Sequence, residues 1–69
     1  MLKFGHYQHY KGGRYEVIGV AKHSETGDEL VIYCDIKDDQ KIWARPLGMF
    51  LEEVEAEGKK MSRFKYLGY

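Results

Sequence analysis

Few residues in this chain can do chemistry, and they fall into two groups. The first is His23-Ser24-Glu25-Thr26, which places a base, two hydroxyls and a carboxylate within four positions. Nucleophilic catalysis needs a base within hydrogen-bond reach of its nucleophile and a third group to orient that base. Neighbours on a tight turn rarely meet that demand, so we read Ser24 and Thr26 as caps of turn amides and Glu25 as paired to a cation or a backbone donor. An acid–base pair of His23 and Glu25 remains the alternative. Adding His9 gives two imidazoles and a carboxylate, but their spacing matches no zinc signature. The only cysteine, Cys34, alternates with Leu30, Ile32 and Ile36 and reads as a small buried hydrophobe. No metal and no cofactor is expected. Gly12-Gly13 is no phosphate loop either, because no helix follows it.

The second group is aromatic and basic: Tyr10, Tyr33, Trp43 and Arg45, with His9 beside Tyr10. Tyrosine and tryptophan offer a stacking face and a polar tip. Near strand ends of a small β domain, such rings form platforms for bases, cations or peptides. Arg45 can grip a phosphate or a carboxylate with two parallel donors. The plainer reading makes these residues architecture. Trp43 follows Ile42 in a core-like strand, so we place it in the core. Arg45 before Pro46 is a candidate partner for Glu25 or Glu29. For Tyr10, Tyr33 and Arg45 the two readings weigh equally.

Positioning falls to a β-rich stretch from Arg14 to Pro46. Gly5 to Tyr10 alternates Tyr7 and His9 with His6, Gln8 and Tyr10, and predicts a short strand after a frayed lead-in of Met1 to Phe4. Lys11-Gly12-Gly13-Arg14 is a hairpin turn. Tyr15 to His23 is the longest strand, apolar on both faces at its centre, with Gly19 as the natural bend. Ser24 to Asp28 is a polar loop, Leu30 to Ile36 a third strand, and Lys37 to Lys41 a second loop. Ile42 to Arg45 is a fourth strand, ended by Pro46. Leu47 to Val54 predicts a helical turn whose Met49, Phe50 and Val54 cap one end of the core, with Gly58 breaking it. Met61 to Leu67 predicts one closing strand with Ser62, Phe64 and Tyr66 on one side. The fold class is mainly β: a small, partly open antiparallel barrel of the SH3 type with one short helical turn, one domain over residues 1–69.

With 69 residues the core is thin. A chain this short buries only about 60% of its unfolded surface. A lone cysteine argues against a disulfide scaffold, and no stretch is long and apolar enough to span a membrane, so we expect a cytoplasmic protein. Eleven basic and eleven acidic residues cancel, which leaves no general electrostatic affinity for nucleic acid. The charge is nonetheless segregated. Residues 1–23 carry +3, residues 24–39 carry −5, residues 47–57 carry −4 and residues 58–69 carry +4. Pairing of the basic ends with the acidic middle across neighbouring strands is the simpler arrangement; a single basic face is the sharper one.

Several blocks together resemble a known family: His9-Tyr10-Lys11-Gly12, Tyr15-Glu16-Val17, Ala21 through Thr26, Leu30-Val31-Ile32-Tyr33 and Trp43 through Phe50. On these the chain is similar to domain-of-unknown-function family 1653, short bacterial and phage proteins. The resemblance implies an SH3-like barrel and supplies no activity and no catalytic residue.

Three functions follow as expectations. The first is a small non-enzymatic binding module, in which His9, Tyr10, His23, Glu25, Tyr33, Trp43 and Arg45 line a groove for a peptide, nucleotide or nucleic-acid element. The second is a small hydrolase or transferase using His23 and Glu25. The third is a homo-oligomeric piece whose aromatic arm, Tyr7 and Tyr10, docks on a neighbouring copy. A groove flanked by Arg45 and Lys11 would favour the first, and a deep pocket joining His23 to Glu25 the second.

Overall fold

The computed structural model describes residues 2–69. Seven strands and one helical turn follow in the order β1 (Gly5–His9), β2 (Arg14–Lys22), β3 (Glu29–Asp35), β4 (Ile42–Pro46), α1 (Leu47–Phe50), β5 (Glu53–Ala56), β6 (Lys59–Ser62) and β7 (Phe64–Gly68). Five of them form one antiparallel sheet in the order β4-β3-β2-β1-β7, and β5 and β6 form a separate hairpin. The sheet does not close on itself, since β4 and β7 remain its two edges. Among the described residues no helix is long and apolar enough to cross a membrane.

The first four strands lie where alternation and turn residues place them. The irregularity expected at Gly19 falls one position earlier. Val17 pairs with Tyr33 and Gly19 with Ile32, so Ile18 is an extra, bulged residue exposed to solvent. A second bulge sits at Leu67, between the His6–Gly68 and Tyr7–Tyr66 pairs. An unpaired residue of this kind bends its strand and increases the local twist, which curls the sheet.

Curling produces one concave, core-bearing face. Tyr7, Val17, Val31, Tyr33, Phe50 and Phe64 form the buried cluster, with Leu2, Tyr15, Leu47 and Tyr66 packed against it. The cluster is largely aromatic. Phe50 and Phe64 stack at 4.2 Å and 8°, and Tyr7 meets Phe50 edge-on at 5.2 Å. Large rings suit a domain this small, because each removes much apolar surface from water.

Several expectations are corrected here. Of the lead-in over Met1 to Phe4, Met1 lies outside the described residues, and Leu2 packs on the core rather than fraying. In the third strand, where alternation left the core side open, it is Val31 and Tyr33; Cys34 is buried as expected. The helical turn ends at Phe50, and Val54 belongs to β5. Gly58 therefore breaks no helix: with Glu57 it makes the β5–β6 turn, both at positive φ (53° and 75°), the conformation of a tight hairpin. Residues 61–67 are two strands, since Arg63 separates β6 from β7. Phe50 caps the core as expected, but Met49 is 46% exposed.

Acid–base neighbours occur across strands at Lys22–Glu29 and Glu55–Lys60. The basic chain ends are also brought side by side, because β1 pairs with β7. That pairing is close. Gly5 takes φ +127°, and a Cβ there would meet the Gly68 carbonyl oxygen at 2.7 Å.

Candidate functional site

The concave face opens to solvent along β4. Trp43 pairs with Tyr33 and Arg45 with Val31, and directly paired residues point to the same side of a sheet. Trp43 and Arg45 thus share the core face, at an edge where no further strand covers them. Trp43 is 40% exposed, which corrects the expectation that it is core. Its ring stacks on Tyr33 at 6.0 Å and 27° and meets the edge of Tyr15 at 5.6 Å. One side of the indole rests on buried aromatics and the rest is available.

Arg45 extends this platform. Its Nε–H donates to the Tyr33 hydroxyl oxygen at 3.4 Å, and its guanidinium carbon lies 5.9 Å from the centre of the Phe64 ring. The expected tie to Glu25 or Glu29 is not made; among the described residues the ion pair is Arg63 with Glu52, at 4.0 Å. Arg45 stands on one edge strand and Phe64 on the other, so their approach measures how far the sheet curls.

Across the face, Phe64 carries the second half of the cluster. His9 pairs with it along the strands, ring to ring at 4.9 Å, and Tyr10 lies 4.6 Å from His9. The His9 Nδ1 accepts the Lys11 backbone N–H at 3.1 Å, which turns Nε2 towards the cluster or solvent. Burial pushes the His9 pKa below its ordinary value, and the charges of Arg45, Arg63 and Lys11 push it the same way. Three cations thus act on one imidazole with no carboxylate among its perturbing neighbours. Lys11 Nζ lies 5.7 Å from the centre of the Tyr10 ring. Beside His9 and Tyr10 is a depression of about 360 Å³, lined also by Gln8, Met61, Ser62 and Lys65.

Arg63 completes the arrangement. Its N–H donates to the Glu52 carbonyl oxygen at 3.0 Å, and its own carbonyl accepts the Tyr10 N–H at 2.9 Å. The backbone is pinned on both sides, yet the buried side-chain Nε has no hydrogen-bond partner. A buried guanidinium N–H without an acceptor is uncommon and calls for a physical explanation.

His23 and Glu25 lie elsewhere. His23 follows β2, and its Nδ1 accepts the backbone N–H groups of Glu25 (3.1 Å) and Thr26 (3.4 Å). The Thr26 hydroxyl oxygen accepts the Asp28 N–H at 3.2 Å. The turn occupies the His23 Nδ1, among the described residues no hydrogen bond joins the imidazole to the Glu25 carboxylate, and all four residues are exposed. Of the seven candidates, His9, Tyr10, Tyr33, Trp43 and Arg45 converge; His23 and Glu25 do not join them.

Sequence reasoning missed Tyr15, Arg63 and Phe64 as members of the site. Tyr15 and Phe64 carried a signal, since both alternate onto aromatic faces. Arg63 carried none, because its role comes from the break between β6 and β7. Cys34 is buried on the convex face, and burial together with Glu16 raises its thiol pKa, so it is not an activated nucleophile. Among the described residues no three of His, Cys, Asp and Glu converge as metal ligands.

The model of the family described as "Protein of unknown function (DUF1653)" matches residues 5–66. The chain belongs to the DUF1653 family. The matched span takes in every residue of the concave cluster. Its fold is similar to the crystal structure of a DUF1653 protein from Bordetella bronchiseptica, with 30% sequence identity, 99% of this chain and 90% of that chain covered, and a TM-score of 0.89. No curated protein matches the chain.

Proposed function

We propose that this DUF1653 protein is a small, non-enzymatic binding module. Its ligand, a peptide, nucleotide or nucleic-acid element, lies on the concave face between Trp43 and His9. The observation that carries this reading is the half-exposed Trp43, stacked on Tyr33 and flanked by Arg45. A large ring held rigidly at a sheet edge loses little freedom when a planar group stacks on it, and a neighbouring guanidinium adds a directional grip. The rest of the concave surface is filled by its own side chains, so recognition is shallow rather than enclosing. The acid–base alternative at His23 and Glu25 draws no support from the turn geometry. We further propose that the curled sheet is a partly open barrel of the SH3 type. The approach of the two edge strands through Arg45 and Phe64 supports that description. A cytoplasmic setting fits the single unpaired cysteine, and a bacterial one fits the likeness to the Bordetella bronchiseptica protein.

Trp43 is the only tryptophan, so its fluorescence reports directly on this face. Titration with a panel of short peptides, mononucleotides and oligonucleotides is expected to shift or quench that emission with at least one class. A panel in which no member changes it would overturn the binding-module reading.

A further inference from the structure

We infer that the ligand of the concave face is a short single-stranded nucleic-acid segment, bases of which rest on Trp43 and Tyr10 while the phosphates between them are held by Arg45, Arg63 and Lys11. This inference rests on the binding-module reading and names the ligand class. Three observations carry it.

The first is the alternation of the site. Trp43 and Tyr10 stand at its two ends, linked ring to ring through Tyr15, Phe64 and His9 in steps of 4.6 to 6.0 Å. Cations sit between and beside them: Arg45 at Phe64 and Lys11 over Tyr10. Rings at both ends with positive charge between match the base–phosphate–base repeat of a single strand, where bases stack on aromatic side chains and basic groups track the backbone. A peptide offers no such regular order of planar groups and negative charge.

The second is the Arg63 guanidinium. Its Nε is closed to solvent, but the side chain is 20% exposed and Glu52 approaches only one terminal nitrogen, at 4.0 Å. A phosphate oxygen meets the exposed end of this group with a charge-assisted bond. The third is the one-signed surroundings of His9. Burial first, and then Arg45, Arg63 and Lys11, oppose a proton on this ring. An anion placed there relieves the mutual repulsion of the three cations.

The neutral net charge sets the scale. Non-specific nucleic-acid binders draw affinity from many phosphate contacts, each steepening the dependence on salt by about 0.7 for single strands. Three cations therefore predict a log–log salt slope between about −0.7 and −2, far shallower than that of a broadly basic protein.

Fluorescence anisotropy of a labelled oligothymidylate in low salt tests this, with thymidine 5′-monophosphate as the comparison ligand. Trp43 emission is followed in parallel with both nucleotides and with a panel of short peptides. The strand is expected to bind at least tenfold more tightly than the mononucleotide, with the shallow slope above. Arg45→Ala and Lys11→Glu are each expected to weaken it about tenfold. Lys59→Glu, a similar charge change on the β5–β6 hairpin, should leave it unaltered. Circular dichroism checks the fold of each variant. Lys11 is exposed on a turn, so Lys11→Glu keeps the test open if Arg45→Ala fails to fold. Equal affinity for mononucleotide and strand would overturn the two-base arrangement. Strand binding that survives Lys11→Glu and Arg45→Ala would overturn the phosphate assignment. A response to peptides alone would overturn the nucleic-acid inference and leave the binding module standing, whereas silence from every class would remove both.

Discussion

Two parts of this molecule carry similar residue types and do different things with them. The turn from His23 to Asp28 and the concave face from His9 to Arg45 each hold an imidazole and other polar side chains. In the turn the residues are consecutive, and the His23 imidazole and the Thr26 hydroxyl accept the backbone N–H groups next to them. On the concave face the residues come from β1, β2, β3, β4 and β7, and side chains far apart in sequence touch. Adjacency in sequence is thus a poor guide to a site. A short loop exposes its amides, and the nearest acceptor satisfies them first. A curled sheet collects side chains from strands whose own hydrogen bonds are already made, which leaves those side chains free for other contacts.

The sharpest way to break this contrast is to remove the floor of the concave face. Phe50 is fully buried and stacks on Phe64. Phe50→Ala is expected to cost about 3–5 kcal/mol. For a domain of this size that is comparable to the whole stability, which scales at about 0.05–0.15 kcal/mol per residue. The variant should therefore show no cooperative urea transition at room temperature. A transition close to that of the parent would mean that the aromatic floor is not what holds the face together.

Next in size is Gly5→Ala. It puts a Cβ 2.7 Å from the Gly68 carbonyl oxygen at a positive φ, so β1 and β7 must part or strain. A loss of about 2 kcal/mol is expected in urea unfolding, together with weaker ligand binding because His9 and Phe64 are carried on those two strands. A neutral result would show that the tight β1–β7 approach does not position the site.

His23→Ala sharpens the comparison from the other side. It removes the acceptor for two turn amides that water can still reach, so stability should fall by about 1 kcal/mol. Ligand affinity, read from Trp43 fluorescence, should not change. A tenfold loss of affinity with intact folding would return His23 to the functional site.

The smallest effect is on pH dependence. The His9 pKa is lowered in the folded protein, so the unfolded chain binds the proton more readily. Between the lowered native value and the ordinary imidazole value of about 6.5, stability therefore rises with pH. Its contribution is complete above about 6.5 and is lost as pH falls through that window. His9→Gln should flatten this part of the stability curve. An unchanged slope would assign it to other groups.

Much of the fold was legible in the sequence where turn chemistry is strong. Gly12-Gly13 and the Ser24–Asp28 loop punctuate β1 to β3 clearly, and Pro46 marks the end of β4. The β5–β6 hairpin was not legible. Glu52-Glu53-Val54-Glu55 suits a helix surface as well as an exposed strand, and Glu57-Gly58 lacks the asparagine or aspartate that usually marks such a turn. The core side of β3 could not be chosen by alternation, because Leu30, Ile32 and Cys34 are as apolar as Val31 and Tyr33; packing against α1 and β7 decides it. Trp43 misled for a related reason. Its type suggests a core, but β4 is an edge strand, and the order of strands in the sheet is not written in local pattern. The site was legible as residue types, in His9, Tyr10, Tyr33, Trp43 and Arg45. Its membership was not, since Arg63 and Phe64 enter through the pairing of β7 with β1 at the far end of the chain.

Chemical-shift mapping of the backbone amides and the Trp43 indole N–H, during titration with a short oligothymidylate, bears most directly on where this protein binds. Binding on the concave face predicts that the largest shifts fall on Trp43, Arg45, Arg63, Phe64 and the His9–Lys11 segment, while residues 23–28 stay still. Shifts centred on the His23–Asp28 turn, with Trp43 and Arg45 unmoved, would contradict it.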